Sequence, residues 1–347
     1  MSEPRAAAVL AAPAPVEHRP LHLEQREPAE PGPGELLISV NACAVCRTDL
    51  QICEGDLAPH RQPLVPGHQV VGRVEAVGRG VHGWQIGDRA GIGWLASSCE
   101  DCDLCARGLE NLCPHATFTG WDRDGGYAGW ITTKADFTFH LASQLDDLAA
   151  APLLCGGVIG YRALRLSGVQ PGGRLGLFGF GSSASLTIQV AMHQGMDVFV
   201  VTRSRAEQER ARRLGAQWVG GLDDGLPAAL DGAITFAPAG AVVVAALRSL
   251  APGGTVAINA IHLDGMPAFD YDLLWRERAL KSVANYTRQD AREFLELAAA
   301  IPIRTEIEVL PLAAANDALA RLKAGTLEGT AVLETLSPTE GDAAPNK

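Results

Sequence analysis

The chain has no uncharged apolar run of about 18 residues, the length a membrane-spanning helix needs, so no span is expected. It also lacks a signal-peptide start, because Glu3 and two early prolines spoil the short apolar patch at 6–12. Basic residues are in deficit. Against 40 Asp and Glu stand 29 Lys and Arg, and the formal charge of −11 argues against general nucleic-acid binding while leaving room for a local basic pocket. The eight cysteines lack the spacing of a disulfide framework. Four fall between Cys99 and Cys113, Cys46 and Cys155 stand in settings suited to a metal, and Cys43 and Cys53 remain as structural or surface residues, as do His82 and His115. A reduced, cytoplasmic protein with metal thiolates is the expectation. The 347 residues, 47% of them hydrophobic, suffice for two ordinary cores.

The densest chemistry lies in Asn41-Ala-Cys-Ala-Val-Cys46-Arg-Thr48-Asp49-Leu, which follows an expected strand over 35–40. A thiolate at Cys46 is a soft ligand suited to zinc. The neighbouring Thr48 hydroxyl can pass a proton, and the Asp49 carboxylate can orient a ligating imidazole from behind. An imidazole follows at His68 in Pro66-Gly-His-Gln-Val-Val-Gly72, and a further thiol at Cys155 in Ala151-Pro-Leu-Leu-Cys-Gly-Gly157. Two thiolates, one imidazole and an open fourth position make a catalytic zinc site, and alcohol dehydrogenase is the standing example of that donor set.

A second set is Cys99-x2-Cys102-x2-Cys105-x7-Cys113. Four thiolates close a tetrahedral structural zinc and leave no position for substrate, so its role would be to stiffen a lobe. The rival is an iron–sulfur cluster, whose bacterial pattern ends Cys-x3-Cys-Pro. Pro114 follows Cys113, but the last spacing here is seven.

Residues 1–34 read as an opening strand and a turn at Pro31-Gly-Pro-Gly34. From 35 to about 140, short strands broken by glycine and proline indicate a β-barrel-like domain. From Asp146 the texture changes. A helical stretch over 146–166, interrupted at Pro152 and Gly156-Gly157, leads to a strand at 174–178, a glycine turn and a helix at 182–193. Further strands follow at 197–202, 217–220, 232–236 and 255–260, with helices at 205–214 and 239–249. This alternation indicates a doubly wound parallel sheet. A helix at 291–300, a strand at 305–309, a helix at 312–324 and a strand at 329–333 precede a loose tail, 335–347.

The turn Gly179-Phe-Gly181-Ser-Ser-Ala184 follows a strand and opens a helix, the context that gives a glycine fingerprint its meaning. Gly179 permits the tight turn, Gly181 lets a pyrophosphate approach the backbone, and Ala184 is small enough for helix–strand packing. The helix N-terminus at Ser182 offers N–H groups to phosphates. The next strand ends in Val201-Thr202-Arg203-Ser204-Arg205, without the acid that takes a ribose hydroxyl in NAD-binding folds; no acid occurs until Glu207. Two arginines around an uncharged end suit a 2′-phosphate, so NADP(H) is favoured over NAD(H).

On Cys46, Thr48, Asp49, His68, Cys155, the four-cysteine set and the glycine turn, the chain resembles the zinc-containing medium-chain alcohol dehydrogenases. It is similar above all to a bacterial zinc-binding branch with the phrases Thr-Gly-Trp-Asp, Ala-Pro-Leu-Leu-Cys and Phe-Gly-Phe-Gly. The resemblance spans nearly the whole chain. It implies a GroES-like β-barrel catalytic domain over 1–150, with the structural-zinc lobe at 95–115, and a Rossmann cofactor domain over 151–288. Residues 289–347 would return to the catalytic domain and end in the tail.

The resemblance further implies one catalytic and one structural zinc. Hydride would pass between a simple primary alcohol, or its aldehyde, and a nicotinamide cofactor. Thr48 would bond the alcohol oxygen, Asp49 would support the histidine ligand, and Trp94 would line the substrate pocket. A homo-oligomer, dimer or tetramer, is implied too. Two departures stand out. Many relatives carry histidine at Gln51, ending a proton relay, and glutamate at Gln69. Thr330 stands near where some relatives place an arginine on the pyrophosphate. A zinc-free quinone or enone reductase on the same architecture would lack the cysteine set. An NADP(H)-binding scaffold without turnover draws some support from Gln51 and Gln69.

Overall fold

The computed structural model describes residues 3–260 and 263–335. The chain divides into two compact units, one running to Cys155 and resuming at Thr305, the other Gly156–Arg304.

The first unit opens with an antiparallel pair, β1 (Arg5–Leu10) and β2 (Leu21–Arg26), where the sequence suggests a single strand. β2 escapes a pattern search because only its first residue is buried. The long strand β3 (Glu35–Ala44) pairs along one edge with β4 (Val70–Val77). Helix α1 (Arg47–Glu54) leaves directly from β3. β4 continues to β5 (Arg89–Ile92). A small pair, β6 (Leu95–Ser97) and β7 (Thr117–Phe118), brackets the four-cysteine segment with its one-turn helix α2 (Asp103–Ala106). β8 (Trp130–Lys134) takes the first half of the other edge of β3, and β9 (Thr138–His140) pairs with β5. Helix α3 (Asp147–Ala150) and a 3-10 turn, Ala151–Leu154, lead to Cys155. Arg89 and Asn41 both bond Asp147, which pins this approach to the sheet.

The second unit is an all-parallel sheet. Helix α4 (Gly156–Ser167) precedes β10 (Arg174–Phe178), followed by α5 (Ser182–His193), β11 (Asp197–Val201), α6 (Arg205–Arg213), β12 (Trp218–Gly220), β13 (Leu230–Thr235), α7 (Gly240–Arg248), β14 (Leu250–Ile258), β15 (Ala279–Ser282) and α8 (Arg288–Ala300). The order is β12-β11-β10-β13-β14-β15. Counted within the unit this is 3-2-1-4-5-6, the doubly wound order whose reversal beside the first strand opens a ligand crevice at the carboxyl ends. After its first residue β11 runs solid in Val and Phe, all of them buried, as helices covering a parallel sheet require. Helix α8 stays with this unit although the sequence reading assigns 289 onward to the return. The cause is Asp290, buried and paired with Arg162 at 2.5 Å and Arg165 at 2.9 Å on α4. It also closes a capping box with Thr287.

From Thr305 the chain rejoins the first unit through β16 (Ile307–Pro311), α9 (Ala315–Ala324) and β17 (Thr330–Glu334). β17 takes the second half of the free edge of β3, completing a seven-stranded sheet. Thr330 opens this strand. The buried Asn316 side chain bonds both backbone groups of Leu21, which ties α9 to β2. Leu36, Ile38, Val40, Val70, Ile92 and Leu333 are central to the core of this unit. No helix among the described residues is long and apolar enough to cross a membrane. The expected tail lies outside the described residues apart from Thr335.

Candidate active site and metal centres

Helix α1 starts at Cys46, an extended capping residue. Asp49 reaches back, and its Oδ2 accepts the Cys46 backbone N–H at 2.8 Å. A carboxylate suits this first turn, where unpaired N–H groups and the helix dipole favour negative charge. Asp49 is wholly buried, and its Oδ1 meets His68 Nδ1 at 2.9 Å. That contact calls for the proton on Nδ1, which leaves the Nε2 lone pair for a metal. A third donor, the Tyr127 hydroxyl, bonds Asp49 Oδ2 at 3.1 Å. Sequence reasoning reads the Gly125-Gly126-Tyr127 run only as a turn. The ring is seated by a glycine far off in the sequence. A Cβ on Gly67, whose φ is +97°, would come within 2.4 Å of the Tyr127 ring.

Cys46, His68 and Cys155 are brought together. One ligand atom from each lies within 4.8 Å of the others. They come from the head of α1, the loop before β4 and the end of the 3-10 turn, which is locked by the buried Pro152, Leu153 and Leu154. Zinc bonds of about 2.3 Å to sulfur and about 2.0 Å to nitrogen put the three tetrahedral ligand atoms roughly 3.5–3.8 Å apart, inside the span found here.

Its electrostatics fit as well. Contact with the Cys155 thiol, and with His68, holds the Cys46 thiol well below its ordinary value despite burial. The same contact, together with burial, holds Cys155 well above its own. Burial opposes charge on His68, but Asp49 and then Cys46 outweigh it and push the imidazole up to about 10. The site gathers negative charge in a buried place and keeps a proton to balance it. A divalent cation balances the same charge, so these residues fit a metal. The buried Thr48 hydroxyl lies 3.8 Å from Cys46 Sγ.

Trp94 sets its ring edge-on to His68, with centroids 5.0 Å apart at 77°. It stacks on Phe118 at 5.1 Å and Trp121 at 5.9 Å, two aromatics that sequence reasoning does not select. Gln51 Oε1 is buried without a hydrogen-bond partner among the described residues, and Gln69 is buried. Burial first, then the Asp49 charge, pushes the Cys43 and Cys53 thiols well up, which makes them poor nucleophiles.

Cys99, Cys102, Cys105 and Cys113 also converge, each sulfur within 4.8 Å of the rest. Backbone N–H groups of Cys99 and His115 donate to Cys113 Sγ at 3.5 and 3.4 Å and hold the sulfur in place. The Ser98 hydroxyl, ahead of the opposing burial, and Cys102 bring Cys105 down to about 7.

In the second unit Gly179 adopts φ +89°, and a Cβ there would lie 2.9 Å from the Ala237 nitrogen. Gly181 caps α5 without a side chain, and a Cβ on it would meet nothing within 4 Å, so the space before the helix is clear. Ser182 begins the helix, and Ala184 is fully buried beneath it. An Arg210 guanidinium donates to the Phe180 carbonyl and braces the turn. Beyond β11, the Thr202 hydroxyl donates to the Glu207 carboxylate. Ser204 caps α6 by accepting the Glu207 N–H at 3.4 Å. Arg203 and Arg205 are exposed.

The family of the alcohol dehydrogenase GroES-like domain matches residues 32–143. A Mycobacterium tuberculosis protein named "Probable alcohol dehydrogenase AdhA" is 46% identical over 92% of this chain and 94% of its own. An alcohol dehydrogenase of Geobacillus stearothermophilus is 35% identical over 87% of this chain and 91% of its own. Among solved structures, a cinnamyl alcohol dehydrogenase of Sorghum bicolor superposes with a TM-score of 0.87 at 27% identity, covering 98% of this chain and all of that one. The first unit is thus a GroES-like domain and the second a Rossmann domain, and the chain is an oxidoreductase that belongs to the zinc-type medium-chain alcohol dehydrogenases.

Proposed function

We propose that this protein is a zinc-dependent alcohol dehydrogenase that moves a hydride between a simple primary alcohol, or its aldehyde, and NADP(H). The observation that carries the reading is the meeting of Cys46, His68 and Cys155 in front of a buried carboxylate. These three side chains would hold the catalytic ion, and Cys99, Cys102, Cys105 and Cys113 a structural one. When bound, zinc supplies the Lewis acidity that lowers an alcohol pKa and polarises a carbonyl, and the nicotinamide supplies the hydride chemistry. Thr48, buried beside Cys46, offers its hydroxyl to take up the alcohol proton. Asp49 keeps the His68 ring in one tautomer and one orientation. Trp94, Phe118 and Trp121 make an apolar wall beside His68 that suits an aliphatic or aromatic substituent. Glutamine at position 51 does not titrate in the working range, so the proton leaves Thr48 by a route without a histidine there.

Gly179, Gly181, Ser182 and Ala184 would seat the pyrophosphate, and Thr202, Arg203 and Ser204 the adenosine ribose. Exposed arginines at 203 and 205 suit a 2′-phosphate. A second reading, NAD(H), is favoured by one contact. The Thr202 bond draws the Glu207 carboxylate to the end of β11, where an acid would accept from a ribose hydroxyl.

The decisive experiment is metal analysis joined to an alcohol and aldehyde panel run with both cofactors. Chelator-sensitive turnover supports the reading and sets aside a scaffold without catalysis. Turnover that survives removal of all metal would point to the zinc-free reductases.

A further inference from the structure

We propose that Tyr127 is a positioning residue for the metal centre, acting through Asp49 on the imidazole of His68. The Asp49 carboxylate is wholly buried and divides its work between its two oxygens. Oδ1 takes His68 Nδ1 at 2.9 Å, while Oδ2 accepts the Cys46 N–H at 2.8 Å and the Tyr127 hydroxyl at 3.1 Å. Two donors on one oxygen stop the carboxylate from turning about its own axis and so aim the other oxygen at the imidazole. Without the phenol, a buried anionic oxygen would keep an unmet acceptor site and the rotation would be less restrained.

The surroundings are built to deliver the phenol. Tyr127 is fully buried. Its N–H bonds the Pro66 carbonyl at 3.0 Å, and the Gly126 N–H bonds the Gly67 carbonyl at 2.9 Å. The tyrosine segment is therefore stitched to the two residues that precede His68, and phenol, carboxylate and imidazole are held as one assembly. A Cβ on Gly67 would meet the ring itself, and one on Gly126 would meet Val70 at 2.3 Å, so the ring and the segment that carries it each need a glycine to pack this closely. A ring needed only for packing has no use for its hydroxyl, whereas this hydroxyl ends on the carboxylate that serves the metal ligand.

The inference rests on the zinc reading above. The test is Tyr127→Phe, which removes one oxygen and keeps the ring that fills the core. Wild type and variant are loaded with cobalt in place of zinc and challenged with a chelator, and the visible bands and the release rates of the two metal sites are compared. The expected result is a shifted band and release about ten-fold faster from the Cys46 set, with the four-cysteine site unchanged as an internal control. Equal bands and equal release in both proteins would overturn the inference. Wild type that takes up no cobalt at the Cys46 set would instead overturn the zinc reading itself.

Should the variant not fold, wild-type protein grown on 3-fluorotyrosine carries a more acidic phenol, a stronger donor. Tyr127 is the only tyrosine in the unit that holds the three ligands. A shift of the cobalt bands on fluorination is expected, and unshifted bands would overturn the inference.

Discussion

Asp49 shows how much one side chain can be asked to do. It closes the first turn of α1, fixes the tautomer of His68 and receives Tyr127, all on two oxygens. Gln51, one turn beyond Thr48 on the same helix, shows the opposite. Its Oε1 is buried without a hydrogen-bond partner among the described residues, and it holds no proton to trade. Gln51→His would supply a group that titrates near the histidine value of about 6.5. The expected outcome is higher turnover near neutral pH and a new inflection near that value in the pH–rate profile. A profile identical to wild type would mean that position 51 takes no part in proton transfer. The three proposed ligands were legible because each sits in a distinctive phrase. Tyr127 was not, because its partner is 78 residues away in sequence and nothing local marks a phenol among glycines as anything but a turn.

At the scale of elements, strand ends carry the testable features. Glu35 begins β3 and is held by Arg123 at 2.8 Å and Lys134 at 3.3 Å. Burial alone would raise its carboxyl, but Arg123, the Gly32 N–H and Lys134 prevail and hold it below its usual value. A lowered folded-state value means that the unfolded chain takes the proton first as pH falls. The stabilisation is therefore complete above the ordinary glutamate value of about 4.3 and is lost as pH drops through the folded-state value. Glu35→Gln should be less stable than wild type at neutral pH, and the gap should close in acid. Urea midpoints measured across pH would show it, and a constant gap would contradict it.

The turn from β11 to α6 makes a second case. If Arg203 and Arg205 receive a 2′-phosphate, replacing either with alanine should cut kcat/KM for NADPH about ten-fold, the worth of one charge-assisted bond, and leave NADH nearly unchanged. An equal loss with both cofactors would favour the NAD(H) reading through Glu207. β10, buried from Leu175 to Phe178, was legible to the residue. β15, with two exposed residues among its four, and β2 were not, because edge strands carry little burial pattern.

Over the whole molecule, alternating strands and helices from 174 onward announced the parallel sheet. Where the chain leaves that sheet was harder to read. Helix α8 is amphipathic on any reading, and its contacts with α4, the ion pairs of Asp290 with Arg162 and Arg165 and the packing of Phe294 on Tyr161 among them, assign it to the second unit. The four-cysteine set was legible from spacing alone, since all four ligands fall within one short loop. The Cys46 set was read from its donor types, although its members lie on three separate segments.

The central claim is that two groups of side chains each hold a metal and that one of them is catalytic. The most direct measurement is the zinc content of purified wild type and of His68→Ala, taken beside alcohol turnover. The account predicts two ions per chain in wild type, one in the variant, and turnover lost with the second ion. The same zinc content in both proteins, with alcohol oxidised at the wild-type rate by the variant, would contradict it.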